Sequence, residues 1–455
     1  MATKINIFFH LTKKSLINHT FVATERSISV TKLTVMFSIF YFSLYLCTQN
    51  KMLMSNSNVY LASKPRYEIL DGLRGVAAML VVAYHLFETY YGGKPDQPIN
   101  HGYLAVDFFF VLSGFVIGYA YDDRWDRMST WSFFKRRLIR LHPMVIFGTL
   151  FGAIMFYFGS CGEFPLINQT PWWLVLLVMF WCFTMIPLPD TMDIRGWAET
   201  NPLNGPAWSL QWEYIANILY AFVIRRLSKV ALGICVAIFS VMTVILCLNI
   251  DVTGFLEERN WASYTVVGGW STTPGQLQVG LTRLLYPFFC GLLISRLMNS
   301  GSKMVNAQWS MVNVKHGFWW CSLAIVVLLC MPWMGLGTEG EARWTNGLYE
   351  AVCVLVCFPL IVAMGAGSSV TGSKSSAINK FLGEISYPLY ITHYPLIYMQ
   401  MSWVDSHKDA PLGTHIFVAV CIFVLAILVA YGAYKLYDLP VREWLKHKLF
   451  RPAAK

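Results

Sequence analysis

The sequence predicts an all-α membrane protein of about ten spanning helices with one further interfacial or re-entrant helix. Three observations predict it. The chain of 455 residues is 56% hydrophobic and only 13% charged, with a mean hydropathy of +0.49, whereas soluble globular domains run near a quarter charged. Its apolar residues gather in runs of roughly 20, the length that crosses a hydrocarbon core of about 30 Å. Its formal charge of +10 sits in short clusters between those runs: "KRRLIR" at 135–140, "RRLSK" at 225–229 and "VREWLKHKLFRPAAK" at the end. Basic residues distributed in this way fix membrane orientation; they do not make a nucleic-acid surface.

In chain order the spans read 69–91, 102–121, 142–160, 208–227, 230–250, 277–298, 315–334, 346–365, 381–401 and 415–437. With Lys64 and Arg66 placed inside, alternation puts every strongly basic connection on the cytoplasmic side. Asp251, Glu257, Glu258, Glu339, Glu341, Asp405 and Asp409 then fall outside. The segment "PWWLVLLVMFWCFTMIPLP", 171–189, would break this alternation if it crossed, so it reads as interfacial or re-entrant on the outer face, where Trp and bracketing Pro are at home. Residues 1–60 read as an N-terminal extension. Its apolar stretch 32–47 is short for a span and lacks a signal-cleavage pattern, and Met52 and Met54 suit an internal start. Residues 61–445 make the membrane domain and 446–455 a basic cytoplasmic tail. The eleven cysteines lie mostly within apolar runs without C-x-x-C spacing, so neither a disulfide framework nor a metal site is expected.

Ionisable side chains inside spans are costly and usually serve function. Arg74 and His85 share the first span, eleven positions and hence about 16 Å apart, with the arginine near the inner boundary. Asp107, Glu213 and His393 are read at depths comparable to His85, which suggests a polar cavity in the outer half. Plainer readings stand beside this one. Arg74 can snorkel or pair with Asp71 at i−3, and a single buried His often only bonds a neighbouring helix. Imidazole titrates near neutrality, so His85 can take a proton from an alcohol while Glu213 or Asp107 orients the ring. On the inner face Arg136, Arg137 and Arg140 form a fork suited to phosphate, or to lipid headgroups. No G-x-S-x-G elbow is present.

Six blocks carry a resemblance: "LDGLRGVAAMLVVAYH", "GYLAVDFFFVLSGFVI", "FFKRRLIRLHP", "AWSLQWEYIANILY", "LGEISYPLYITHYPL" and "YDLPVREWL". In this order, over residues 66–445, the chain resembles the acyltransferase family 3 membrane proteins, O-acyltransferases of bacterial surface glycans. The resemblance implies a ten-span bundle in the bacterial inner membrane with both ends cytoplasmic. It also implies transfer of an acyl group, commonly acetyl from acetyl-CoA, to an extracytoplasmic hydroxyl. Acyl-CoA would be a co-substrate, with no bound cofactor and no metal. On that pattern Arg74 and His85 are the essential pair, and the basic block with Arg136, Arg137 and Arg140 meets the donor; Glu213 and Asp107 stay the candidate carboxylates of the residue reading. Ser113, Trp208, Tyr390 and His393 are the candidate substrate-binding residues. Expected partners are membrane lipids, the donor, a carbohydrate acceptor and glycan-assembly proteins, with no nucleic acid. Asp438 stands where the family's closing motif has glutamate. No hydrolase-like domain follows the last span, so the acceptor is expected to reach the membrane site directly or through a separate protein. The rival reading is a proton-coupled transporter of a small anion with His85, Glu213 and His393 as relay.

Overall fold

Apolar residues on every side of a helix require neighbours on every side, and the first span meets that condition. In the computed structural model, which describes residues 64, 66–91, 97–256, 262–299, 315–334, 343–370 and 372–450, helix α1 (Glu68–Tyr91) runs through the middle of the bundle. Of its most apolar window 61% is buried, against 22% for the helices at Lys229–Cys247 and Leu412–Leu449, which turn most of their apolar surface outward. Residues 60–128 and 133–455 form one unit, described below.

Among the described residues there are fourteen α-helices and no strand. After α1 come α2 (Ala105–Tyr121), α3 (Thr130–Met155), α4 (Trp172–Phe183), α5 (Ala207–Phe222), α6 (Lys229–Cys247), α7 (Pro274–Met298) and α8 (Gly317–Cys330). Then α9 (Trp344–Val352) passes through a π turn (Cys353–Cys357) into α10 (Phe358–Gly367). These are followed by α11 (Ser373–Thr392), α12 (Tyr394–Ser406) and α13 (Leu412–Gly432). A second π turn (Ala433–Asp438) leads into α14 (Leu439–Leu449).

All ten predicted spans are helical, and among the described residues seven helical stretches are long and apolar enough to cross a membrane. The other three are shorter than expected or interrupted. Helix α5 has 16 residues and α8 has 14, and the span at 381–401 is divided at His393. Pro395 causes that division: it has no N–H to give the Ile391 carbonyl, and the Asn204 amide caps that carbonyl instead at 2.8 Å. Helix α4, inside the segment set apart at 171–189, has 12 residues. At about 18 Å long it is too short to cross. The extension 1–60 lies outside the described residues.

Small residues set the closest crossings. A side chain on Gly72 would overlap Asn379, and one on Gly75 would overlap Leu382, so α1 and α11 lie in close contact and run in the same direction. A side chain on Gly114 would strike the Phe288 carbonyl and one on Gly291 the Val111 carbonyl, which brings α2 equally close to α7. In hydrocarbon, where apolar burial does not drive helices together, close approach is a main source of association.

Candidate functional site

A cavity of about 460 Å³ opens at the end of the bundle that carries the basic clusters. Helix α3 supplies Arg136, Arg137 and Arg140 to its wall, α1 supplies Arg74, and the α14 region supplies Arg442 and Lys446. In all, nine Lys and Arg side chains face five carboxylates on its lining, a surplus of four positive charges. Helical spacing explains the convergence, since residues three and four apart share a face. Arg137 is buried and anchored: its Nε donates to Asn217 at 2.6 Å and its terminal nitrogen to Glu213 at 2.7 Å. Ser113 donates to the same Glu213 oxygen at 3.1 Å. Arg136 lies over the Phe450 ring at 4.6 Å, and Arg140 stays exposed at the wall. Arg74 pairs with Asp71 at 3.1 Å. The π turn before α14 turns Asp438 inward, where it pairs with Arg442 at 2.8 Å.

Tyr390 also lines the cavity. Its hydroxyl is tied to the Ser209 hydroxyl at 2.7 Å and donates to the Pro206 carbonyl at 3.2 Å, while its ring packs against Phe109. Next to Tyr390 lies a second cluster. The Tyr390 and His393 rings are 6.0 Å apart, and His393 stacks on His85 at 5.5 Å with 30° between the planes. The His85 Nδ1 meets Glu88 Oε2 at 2.5 Å, one helical turn on. A carboxylate accepts only, so Nδ1 carries the proton and Nε2 presents a lone pair. Tyr394 meets His85 edge to face at 4.7 Å, and Tyr398 meets Tyr394 edge to face at 4.6 Å. In the connecting segment before α5, Tyr398 donates to Glu199 at 2.8 Å. Arg195 lies over the Tyr398 ring at 3.5 Å. Burial pushes the Glu199 carboxyl up to about 7, against the opposing pull of Arg195 and the Tyr398 hydroxyl. Among the described residues no three His, Cys, Asp or Glu side chains converge in a metal-binding group.

A family model described as an acyltransferase domain matches residues 67–435. The chain belongs to the acyltransferase 3 family. Protein 2 of the picA locus in Rhizobium radiobacter is 34% identical over 168 residues, covering 34% of this chain and 81% of that protein. Acyltransferase MdmB of Streptomyces mycarofaciens is 25% identical over 361 residues, 73% of this chain and 79% of its own. O-acetyltransferase OatA of Staphylococcus aureus is 25% identical over 391 residues, 83% of this chain but 58% of that longer protein. No solved structure matches. With its seven long apolar helices, this family member is a multi-pass membrane acyltransferase.

In this acyltransferase the residues singled out from sequence divide between two places. Arg74, Ser113, Arg136, Arg137, Arg140, Glu213 and Tyr390 line the basic-end cavity. His85 and His393 sit together, with His393 next to Tyr390, and neither is on that lining. Glu213 shares the cavity with Arg137, not the His85 layer. Asp107 is fully buried against Arg283, which grips it at 2.7 and 3.3 Å and also donates to the Tyr103 and Gly268 carbonyls. Neither carboxylate holds the His85 imidazole; Glu88 does. Equal depth misled here, because depth along a helix fixes height but not the direction a side chain faces. Trp208 is buried under Arg283 at 5.2 Å and packs in the core. Sequence reasoning missed Glu88, Arg283, Glu199 and Arg195. A signal for the first was present, since His85 and Glu88 stand at i and i+3. It missed Glu350 as well, a fully buried carboxylate bonded by Tyr103, Thr265, Asn346 and the Val266 amide.

Proposed function

We propose that this protein moves an acyl group, acetyl foremost, from cytoplasmic acyl-CoA to a hydroxyl of a surface or exported polysaccharide on the far side of the bacterial plasma membrane. The basic clusters face the cytoplasm on this reading. One observation carries it: a net-positive cavity at the basic end has Tyr390 on its lining, and only the His393 ring stands between Tyr390 and the His85–Glu88 pair. A coenzyme A ester brings several phosphate charges and a long neutral arm. The surplus cations of the cavity suit the phosphates, with Arg137 held rigid by Glu213 and Asn217. The arm would then extend past Arg74 towards Tyr390. The O-acetyltransferase named among the relatives supports acetyl as the group carried and a hydroxyl as the acceptor.

The chemistry follows from the His85 tautomer. Its Nε2 lone pair takes the proton of the acceptor hydroxyl as that oxygen bonds to the thioester carbonyl carbon. The tetrahedral adduct collapses, the carbon–sulfur bond breaks, and the thiolate regains the proton from Nε2–H. Ester and free coenzyme A leave, and His85 is neutral again. Glu88 holds the ring and balances the transient imidazolium. The transporter reading needs Glu213 beside His85 and His393, and the bond from Arg137 in the basic-end cavity disfavours that relay.

In proteoliposomes given labelled acetyl-CoA and extracted surface glycan, His85→Ala is expected to lower transfer by about 10²–10⁴. Mass spectrometry of the glycan then shows one acyl group fewer per site. Full acylation by normally inserted His85→Ala protein overturns the general-base role.

A further inference from the structure

The His393 imidazole is fully buried at the break between α11 and α12. Its Nδ1 faces two carbonyls, Leu389 at 3.1 Å and Tyr390 at 3.0 Å. Carbonyls only accept, so Nδ1 carries the hydrogen, and Nε2 is left as a lone pair with no protein partner. At the same break Asn204 spends its amide on the Ile391 carbonyl, and its Oδ1 is likewise buried without a partner. A buried acceptor left unmade costs free energy that a ligand hydrogen restores. Both unmet groups here are acceptors. The Glu88 carboxylate stands close by on His85, so an anionic group is poorly suited to this place and O–H donors are well suited.

We infer that His393 fixes the acceptor through a second hydroxyl: the substrate is a polyol with neighbouring hydroxyls, one giving its proton to His85 Nε2 and the other donating to His393 Nε2. The two near-parallel imidazoles, each with Nδ1 locked and Nε2 open, form a paired receptor that a lone alcohol fills only in half. His393 is thus a positioning residue that selects which hydroxyl of a sugar ring is acylated. This inference rests on the acyl-transfer reading and adds to it the chemistry of the acceptor.

The test uses the full-length protein in proteoliposomes, labelled acetyl-CoA, and methyl glycosides of glucose, galactose and mannose beside their monodeoxy counterparts. For the glycoside that accepts label, removing the hydroxyl next to the acylated one is expected to lower kcat/KM about tenfold, or about 1.4 kcal/mol. His393→Phe, which keeps a ring but no lone pair, is expected to lower the parent glycoside by a similar factor and to become indifferent to that removal. His393→Gln, with an acceptor atom near the Nε2 position, restores part of the discrimination, and KM for acetyl-CoA stays constant throughout. A wild-type enzyme indifferent to every neighbouring hydroxyl overturns the inference, whether or not the variants fold. So does a His393→Phe enzyme that still discriminates. If no glycoside takes label while His85-dependent transfer to membrane material persists, the diol is wrong and acyl transfer stands. If no His85-dependent transfer is seen at all, acyl transfer itself fails.

Discussion

Glu88 decides what His85 can be. A lone imidazole in a helix exchanges its tautomers and rotates, whereas one held at 2.5 Å by a carboxylate on the next turn presents a single open nitrogen. Glu88→Gln keeps the shape and replaces the charge with an amide that can also donate, so the wrong tautomer becomes accessible. The expected result is a fall in kcat of about 10²-fold or more with KM for acetyl-CoA unchanged, because the donor cavity does not include this residue. Steady-state kinetics on purified protein check it, and an unchanged kcat would assign Glu88 to the scaffold alone. Much of this site is legible as residue types: Arg74, His85, Arg137 and His393 are all conspicuous in apolar surroundings. Their partners are not. The carboxylate for His85 was sought on other helices at equal depth, although a local one stood three residues away.

At the scale of the element, Asp107 shows why depth alone is a poor guide. It caps no imidazole; it pins α2 to α7 and to the backbone around Gly268 through one buried guanidinium. Removing one partner of such a pair strands the other charge, which costs about 3–5 kcal/mol. Asp107→Ala is therefore expected to lower stability by that order in mild detergent, read by thermal or denaturant unfolding. Activity per folded molecule should stay within a few-fold of wild type, and a large loss of activity without loss of stability would return Asp107 to the chemistry. The helices themselves were legible, since runs of apolar residues about 20 long have few alternatives in a membrane. The interruptions were harder to see. Pro395 breaks the span at 381–401 through its missing N–H, and the compensating cap comes from Asn204, far away in sequence. Helix α8 stops at Cys330, short of the expected span, because Met331 precedes Pro332 and its backbone is extended.

For the whole molecule, the separation of the basic-end cavity from the His85–His393 cluster matters more than either alone. A charged donor and a polyol acceptor have opposite requirements. The first needs surplus cations; the second is served by buried acceptors beside a carboxylate. Keeping the thioester away from water until the acceptor is seated prevents wasteful hydrolysis. Tyr390 occupies the boundary, with its hydroxyl held by Ser209 and Pro206 and its ring against Phe109. The sequence marks the ionisable residues of both places but reads Glu213 in the same layer as His85 and His393, so it does not separate the two. The wall between them depends on which way one tyrosine ring faces, and no periodicity encodes that. Tyr390→Ala is expected to open the wall: acetyl-CoA hydrolysis without acceptor should rise severalfold in proteoliposomes while transfer to glycan falls. Tyr390→Phe, which retains the ring and loses only the two hydroxyl contacts, should hydrolyse little more than wild type. Equal hydrolysis by wild type and Tyr390→Ala, measured as free coenzyme A released over time, would show that some other group seals the donor cavity.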